Sequence, residues 1–237
     1  MTEQANPEGE VEEPVEPLTP DELAALPVFP LPGIVFFPGT MLPLHLFEPR
    51  YRDMMRDCME RGPRAMVVAR LADGWEDDYE GRPQVHDVAG VGRIVDHAKR
   101  PDGRYDLILA GVHRVRLEEL PPEGFSYRRA RATVIEDREP HPEVLRPLVT
   151  GVLASASGVV SLLRRRHPDF GLGIDGSTPP GLIADRIADR LLQRRRDVDL
   201  RQQLLEQPDV KVRLALVQDA VAEILLELSG EAGGSVH

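Results

Sequence analysis

The sequence predicts an α+β protein: an N-terminal β-barrel followed by a C-terminal α-helical bundle. Three observations carry that prediction. Prolines punctuate the most apolar region, "LPVFPLPGIVFFPGTMLPLHLFEPRYRDMMRDCMERG", residues 26 to 62. Proline fixes φ and removes a ladder donor, so it sits at strand starts, edges and turns, and here it cuts the chain into short strands. As far as Asp137 the apolar residues then come in short runs divided by turn signals. From "HPEVLRPLVTGVLASASGVVSLLRRRH" onward their period becomes helical.

The elements follow in order. Residues 1–24 form an acidic tail, proline-rich and without aromatics, which is expected to be disordered. It has neither the basic nor the apolar region of a secretory signal. Residues 25–139 form the barrel, with strands expected at 26–29, 34–37 and 41–46. A helix then starts with Pro49 in its first turn, where the missing N–H costs nothing. Tyr51, Met54, Met55, Cys58 and Met59 share one face of it, and Gly62 is placed at C′. "RAMVVARL" reads as a buried strand and "ADGWEDDYEGRPQ" as an acidic loop. "VHDVAGVGRIVDHAKR" and "RYDLILAGVHRVRLEEL" read as strands around a "PDG" turn, and "YRRARATVIE" as an exposed strand.

Residues 140–229 form the helical part. Ile183, Ile187 and Leu191 stack on one helix, "DLRQQLLEQ" is a short helix interrupted by Pro208, and Leu214, Val217, Val221, Ile224 and Leu228 repeat along the last. Residues 230–237 are a flexible tail.

Composition narrows the function. The chain has 237 residues, 41% hydrophobic and 29% charged, with a formal net charge of −11. A polyanion is not the expected partner of so acidic a protein, so neither nucleic acid nor an anionic membrane is expected. No apolar run reads as long enough to span a bilayer. The one cysteine, Cys58, rules out an intramolecular disulfide and falls on the apolar helix face, where a buried inert thiol is expected. These features point to the cytoplasm.

No cofactor, metal or catalytic group is expected. "GLGIDG" matches a dinucleotide motif by letter, but a helix ending in "RRRH" precedes it and "STPP" follows, with Thr178 near the next helix N-cap. The seven histidines show no metal-ligand spacing, and no G-x-S-x-G occurs. Neither Lys99 nor Lys211, the only lysines, follows a glycine, so there is no P-loop. The runs Arg164–Arg166 and Arg194–Arg196 end predicted helices, where cations suit the macrodipole.

"LPVFPLPGIVFFPGTMLPLHLFEPRYRDMM" resembles the start of the Lon protease N-terminal substrate-binding domain, in its stand-alone form, and is related to the barrel of cereblon. "VGRIVDHAKRPDGRYDLILAGVHRVRL" is similar to the family's later hairpin, and "TPPGLIADRIADRL" and "LRQQLLEQPDVKVRLALVQDAVAEIL" to its following helices. The resemblance implies a PUA-like pseudo-β-barrel that binds client polypeptides, without ATPase or peptidase domains. Its implied role is non-catalytic recognition in protein quality control, or as an adaptor to an ATP-dependent protease or chaperone. Small-ligand or RNA binding through the barrel is the alternative.

Two sets of site residues follow. Trp75 and Tyr79, aromatics on the acidic loop, are the candidate peptide anchors, since exposed rings desolvate well and lose little entropy. In "HLFEPRYR" a structural role is expected: Phe47 and Tyr51 pack into the barrel while Glu48 and Arg50 tie the strand end to the helix start. The last helix offers a face for self-association.

Overall fold

The computed structural model describes residues 15–78, 81–193 and 197–233. Six strands form one mixed sheet: β1 (Leu26–Leu31), β2 (Met41–Leu46), β3 (Ala65–Arg70), β4 (Val88–Lys99), β5 (Tyr105–Glu119) and β6 (Arg128–Val134). The helices are α1 (Pro20–Leu23), α2 (Pro49–Glu60), α3 (Pro142–Leu163), α4 (Pro180–Leu191), α5 (Val198–Glu206) and α6 (Val210–Gly233). The molecule is therefore α+β.

The strand order is β2-β5-β4-β3-β1-β6, and β6 also pairs with β5. β5, β4, β3, β1 and β6 thus close into a ring, and β2 hangs on β5 as the open edge. Closure depends on the length of β5: Met41–Leu46 pair with its first half, while Val115–Glu119 pair with β6. Two register shifts in the β4–β5 ladder, at Val91/Gly92 and Ile94/Asp96, let the long hairpin bend. β1 and β3 run parallel, connected through β2 and α2. β6 pairs on both sides, so its alternation of buried Ala130 and Ala132 with outward arginines marks an inner strand of the ring.

The strand expected at 34–37 does not form. Ile34–Phe37 have no ladder partner; instead the segment crosses over β4 and β5 with Val35, Phe36 and Phe37 buried. Glycines make the crossing fit. A Cβ at Gly90 would fall on the Phe36 carbonyl, one at Gly111 on the Phe37 carbonyl, and one at Gly92 would lie 2.7 Å from the Phe36 ring. The apolar run is therefore a plug across the sheet. Gly62 does follow the α2 C-cap, Arg61, yet without a left-handed φ; its small size is what serves, because a Cβ would lie 2.9 Å from Cys58 Cα.

The tail expected over residues 1–24 includes a fixed segment. Thr19 and Glu22 form a capping box on α1, Leu18 is buried, and Arg93 binds Glu22 at 2.8 and 2.9 Å and the carbonyls of Glu16 and Pro17 at 3.0 Å. Residues 1–14 lie outside the described residues. At the other end, α6 runs on to Gly233, into the tail expected from residue 230, and residues 234–237 lie outside the described residues.

The helices pack on the ring through a shared core: Val35, Phe37 and Val88 join the buried residues of α3, α4, α5 and α6 in one cluster. Charged side chains cross the same interface. Arg114 of β5 binds Asp185 of α4 at 2.6 Å and the carbonyls of Leu204 and Leu205, and Arg213 of α6 binds Asp137 at 2.6 and 2.8 Å. Thr178 does not cap α4; its hydroxyl accepts from the Asp175 N–H, and Pro179 holds the N-cap position. "GLGIDG" lies in the loop between α3 and α4, and Arg194–Arg196 lie outside the described residues.

Contrary to the sequence reading, α3 does have the length and composition of a bilayer span, with a mean hydropathy of 1.4 over its apolar window, 28% of it buried. Its stretch from Pro147 to Leu163 carries no charge. In the fold α3 lies along α6, where Gly151 and Gly158 admit Gln218 and Leu225.

Candidate functional site

The end of β2, the first turn of α2 and the entry to β6 enclose a groove of about 570 Å³. The sequence "HLFEPRYR" explains the local geometry. Pro49 opens α2 at its first position, and Glu48 occupies the N-cap without a side-chain capping bond. The Glu48 carboxylate is turned instead to Arg50, whose Nε donates to it at 2.9 Å. The Arg50 guanidinium also lies 4.8 Å from the Tyr51 ring centroid. Tyr51 is buried and meets Phe29 edge-to-face at 4.5 Å.

Phe47 departs from the expectation that it packs into the barrel. It is 60% exposed, stacked at 6.3 Å on His45. The physical reason is the strand period: Leu46 takes the inward position, so its neighbour must point out. Phe47 walls a smaller apolar recess of about 170 Å³ with Phe29, Leu31 and Leu44. Pro30, Glu48 and Tyr51 line both spaces, so the recess adjoins the groove. The exposed edge of the sheet, β2, runs directly into it.

Segments distant in sequence build the opposite wall. Phe125 meets Tyr127 edge-to-face at 5.4 Å, and the Arg129 guanidinium lies 3.8 Å from the Phe125 ring centroid. The Tyr127 hydroxyl donates to Asp57 of α2 at 3.0 Å, and burial together with that carboxylate raises its pKa. Arg82 and Arg128 both reach Glu119, at 3.3 Å and at 2.7 to 2.9 Å, and the Arg128 hydrogen bonds lower the Glu119 pKa. Arg128 also donates to the Pro83 carbonyl at 2.7 Å, which fixes that rim.

Trp75 opens a short 3-10 helix, Trp75–Asp78, and is half-buried; it does not line the groove. Tyr79 lies outside the described residues. Cys58 lies on the buried face of α2, and burial pushes its thiol up to about 12, so it is no nucleophile at neutral pH. Among the described residues no three His, Cys, Asp or Glu side chains gather as a metal site. The groove offers aromatic faces, proline rings and guanidinium groups beside an open strand edge. Such a surface can hold an extended polypeptide.

Comparison with known proteins identifies the fold. Residues 25–223 match the model of the ATP-dependent protease La (LON) substrate-binding domain. The chain belongs to that family. Its Lon-type sequence is 29% identical over 219 residues to the Lon protease of Anaeromyxobacter dehalogenans, covering 90% of this chain and 25% of that protein. It is also 29% identical over 216 residues to Lon protease 2 of Myxococcus xanthus, covering 89% and 25%. The chain thus spans about a quarter of the length of these relatives.

Among solved structures, the N-terminal domain of Mycobacterium avium complex Lon protease superposes with a TM-score of 0.61, at 15% identity, over 84% of this chain and 98% of that one. A Lon N-terminal domain protein from Xanthomonas campestris superposes at 0.54 with 26% identity, over 81% and 95%. The matched region of the Lon-type domain contains every groove residue named above.

The sequence reading singled out Glu48, Arg50 and Tyr51 as structural, and the structure also puts them on the groove. It missed Arg82, Phe125 and Arg128. The aromatic-basic run "FSYRR" was the available signal, but only the β1–β6 and β5–β6 ladders bring it beside "HLFEPRYR".

Proposed function

We propose that this Lon-type domain is a non-catalytic recognition module that binds extended segments of client polypeptides in the groove at the end of β2. The carrying observation is the continuity of an exposed aromatic, Phe47, with an apolar recess and an open strand edge, all inside the family-matched region. The closed ring is read as the family's PUA-like pseudo-barrel and the helices α3 to α6 as its bundle. An extended client would add to β2 by main-chain hydrogen bonds and seat one side chain against Phe47. Trp75 and Tyr79 are proposed as further anchors on the neighbouring loop. Client capture would serve proteolysis, by handing polypeptide to an ATP-dependent protease or chaperone in the cytoplasm, and α6 would supply a face for self-association.

The test is binding of a reduced, alkylated model client to the immobilised chain. Phe47→Ala is expected to weaken binding severalfold with folding unchanged, because Phe47 is mostly exposed. Unaltered binding by Phe47→Ala would remove the groove as the site. Weakening by Trp75→Ala would bring the loop into it.

A further inference from the structure

We propose that the groove selects client segments carrying a bulky apolar side chain and, within a few residues, an acidic one. This rests on the recognition role above and adds a charge preference to it. The two ends of the groove differ in chemistry. Around Phe47 the recess is apolar. The larger space is lined by three arginines, Arg50, Arg82 and Arg128, and one carboxylate, Glu48; with Glu119, which binds Arg82 and Arg128 at the rim, the group keeps one net positive charge in a chain whose net charge is −11. Positive lining in so acidic a protein is a local reversal of sign, and it complements an acidic partner.

Two of the arginines are also placed for contact: Arg82 and Arg50 keep 41% and 26% of their side-chain surface exposed. Arg128, 11% exposed, already donates from Nε and both Nη atoms to Glu119 and the Pro83 carbonyl, so it adds charge and fixes the rim rather than offering a fork. A guanidinium presents its N–H groups in the planar fork that a carboxylate accepts. An acidic client side chain beside these groups exchanges water for charge-assisted hydrogen bonds, while its apolar neighbour fills the recess.

The experiment is fluorescence anisotropy on the full chain with three labelled peptides of equal length. One carries an aromatic residue and a nearby glutamate, one has glutamine in place of the glutamate, and one has serine in place of the aromatic residue. The first is expected to bind about tenfold tighter than the second, the size of a charge-assisted hydrogen bond. That margin should shrink as salt is raised. Arg82→Ala should lower affinity for the acidic peptide to about the level of its glutamine counterpart, and Arg50→Ala should lower it in the same direction. Equal binding of the first two peptides by the unmodified chain overturns the charge preference while peptide recognition stands. A preference that survives both arginine variants overturns it as well. Failure of all three peptides to bind overturns the recognition role itself.

Discussion

At the residue scale, three glycines of β4 and β5 are required by what crosses them. Gly90, Gly92 and Gly111 lie beneath Phe36 and Phe37, and their missing side chains are the space the plug occupies. Gly111→Ala would drive a methyl group into the Phe37 carbonyl, a backbone atom that cannot turn aside. We expect a loss of about 3 kcal/mol, typical of severe overpacking, in urea denaturation. A change within 0.5 kcal/mol, ordinary for surface sites, would show that the plug moves freely. The apolar character of 34–37, between Pro32 and Pro38, was plain from the sequence, and its burial followed. Its failure to pair did not, because pairing depends on what stands beside the segment, and that is β4 and β5 from much later in the chain.

At the element scale, α1 shows how a short helix that would not persist alone is held by tertiary contacts. Its four residues are fixed by the capping box and by Arg93. The Arg93 hydrogen bond holds the Glu22 carboxyl down, from 4.5 to about 2. A carboxylate depressed in the folded state stabilises it above the ordinary pKa and loses that contribution as pH falls through the folded value. Exchange protection of the Leu23 amide, which donates to the Thr19 carbonyl at 3.0 Å, should therefore fall between pH 4.5 and 2. Core amides such as that of Val67 should stay protected over the start of that range, and Glu22→Gln should remove the pH dependence. Flat Leu23 protection across the range would refute the role of this ion pair. The sequence extended a disordered tail through this element because acidity and prolines dominate it; Arg93, seventy residues on, could not be placed against it by pattern alone.

At the scale of the whole molecule, the strand ring and the helices share a core and a buried ion network. Asp185 sits between Arg114 at 2.6 Å and Arg213 at 3.2 Å, with all three almost wholly inaccessible. Asp185→Ala takes the nearer carboxylate from Arg114 and leaves Asp137 to face both arginines, Arg114 at 3.3 Å and Arg213 at 2.6 Å. Removing one partner of a buried pair costs about 3–5 kcal/mol, and the remaining Asp137 contact argues for the lower end. Trp75 fluorescence, which reports on the sheet side, and far-UV circular dichroism, dominated by the helices, should shift together to lower denaturant. A shift in the helical signal alone would mean that the two parts unfold independently.

The sequence by itself determined the class of fold, the place where strand period gives way to helix period, and the family, because these are written in local pattern and in motifs carried along one stretch of chain. It also marked "HLFEPRYR" as a distinct unit. Only the tertiary structure decided that Phe47 faces outward, that 34–37 plugs the sheet rather than joining it, and that Arg82, Phe125 and Arg128 meet Glu48 and Tyr51 across a groove. The physical reason is ring closure. Pairing β6 with both β1 and β5 brings residues some eighty positions apart to one rim, and the strand ladders that impose this are long-range hydrogen bonds with no local periodicity of their own.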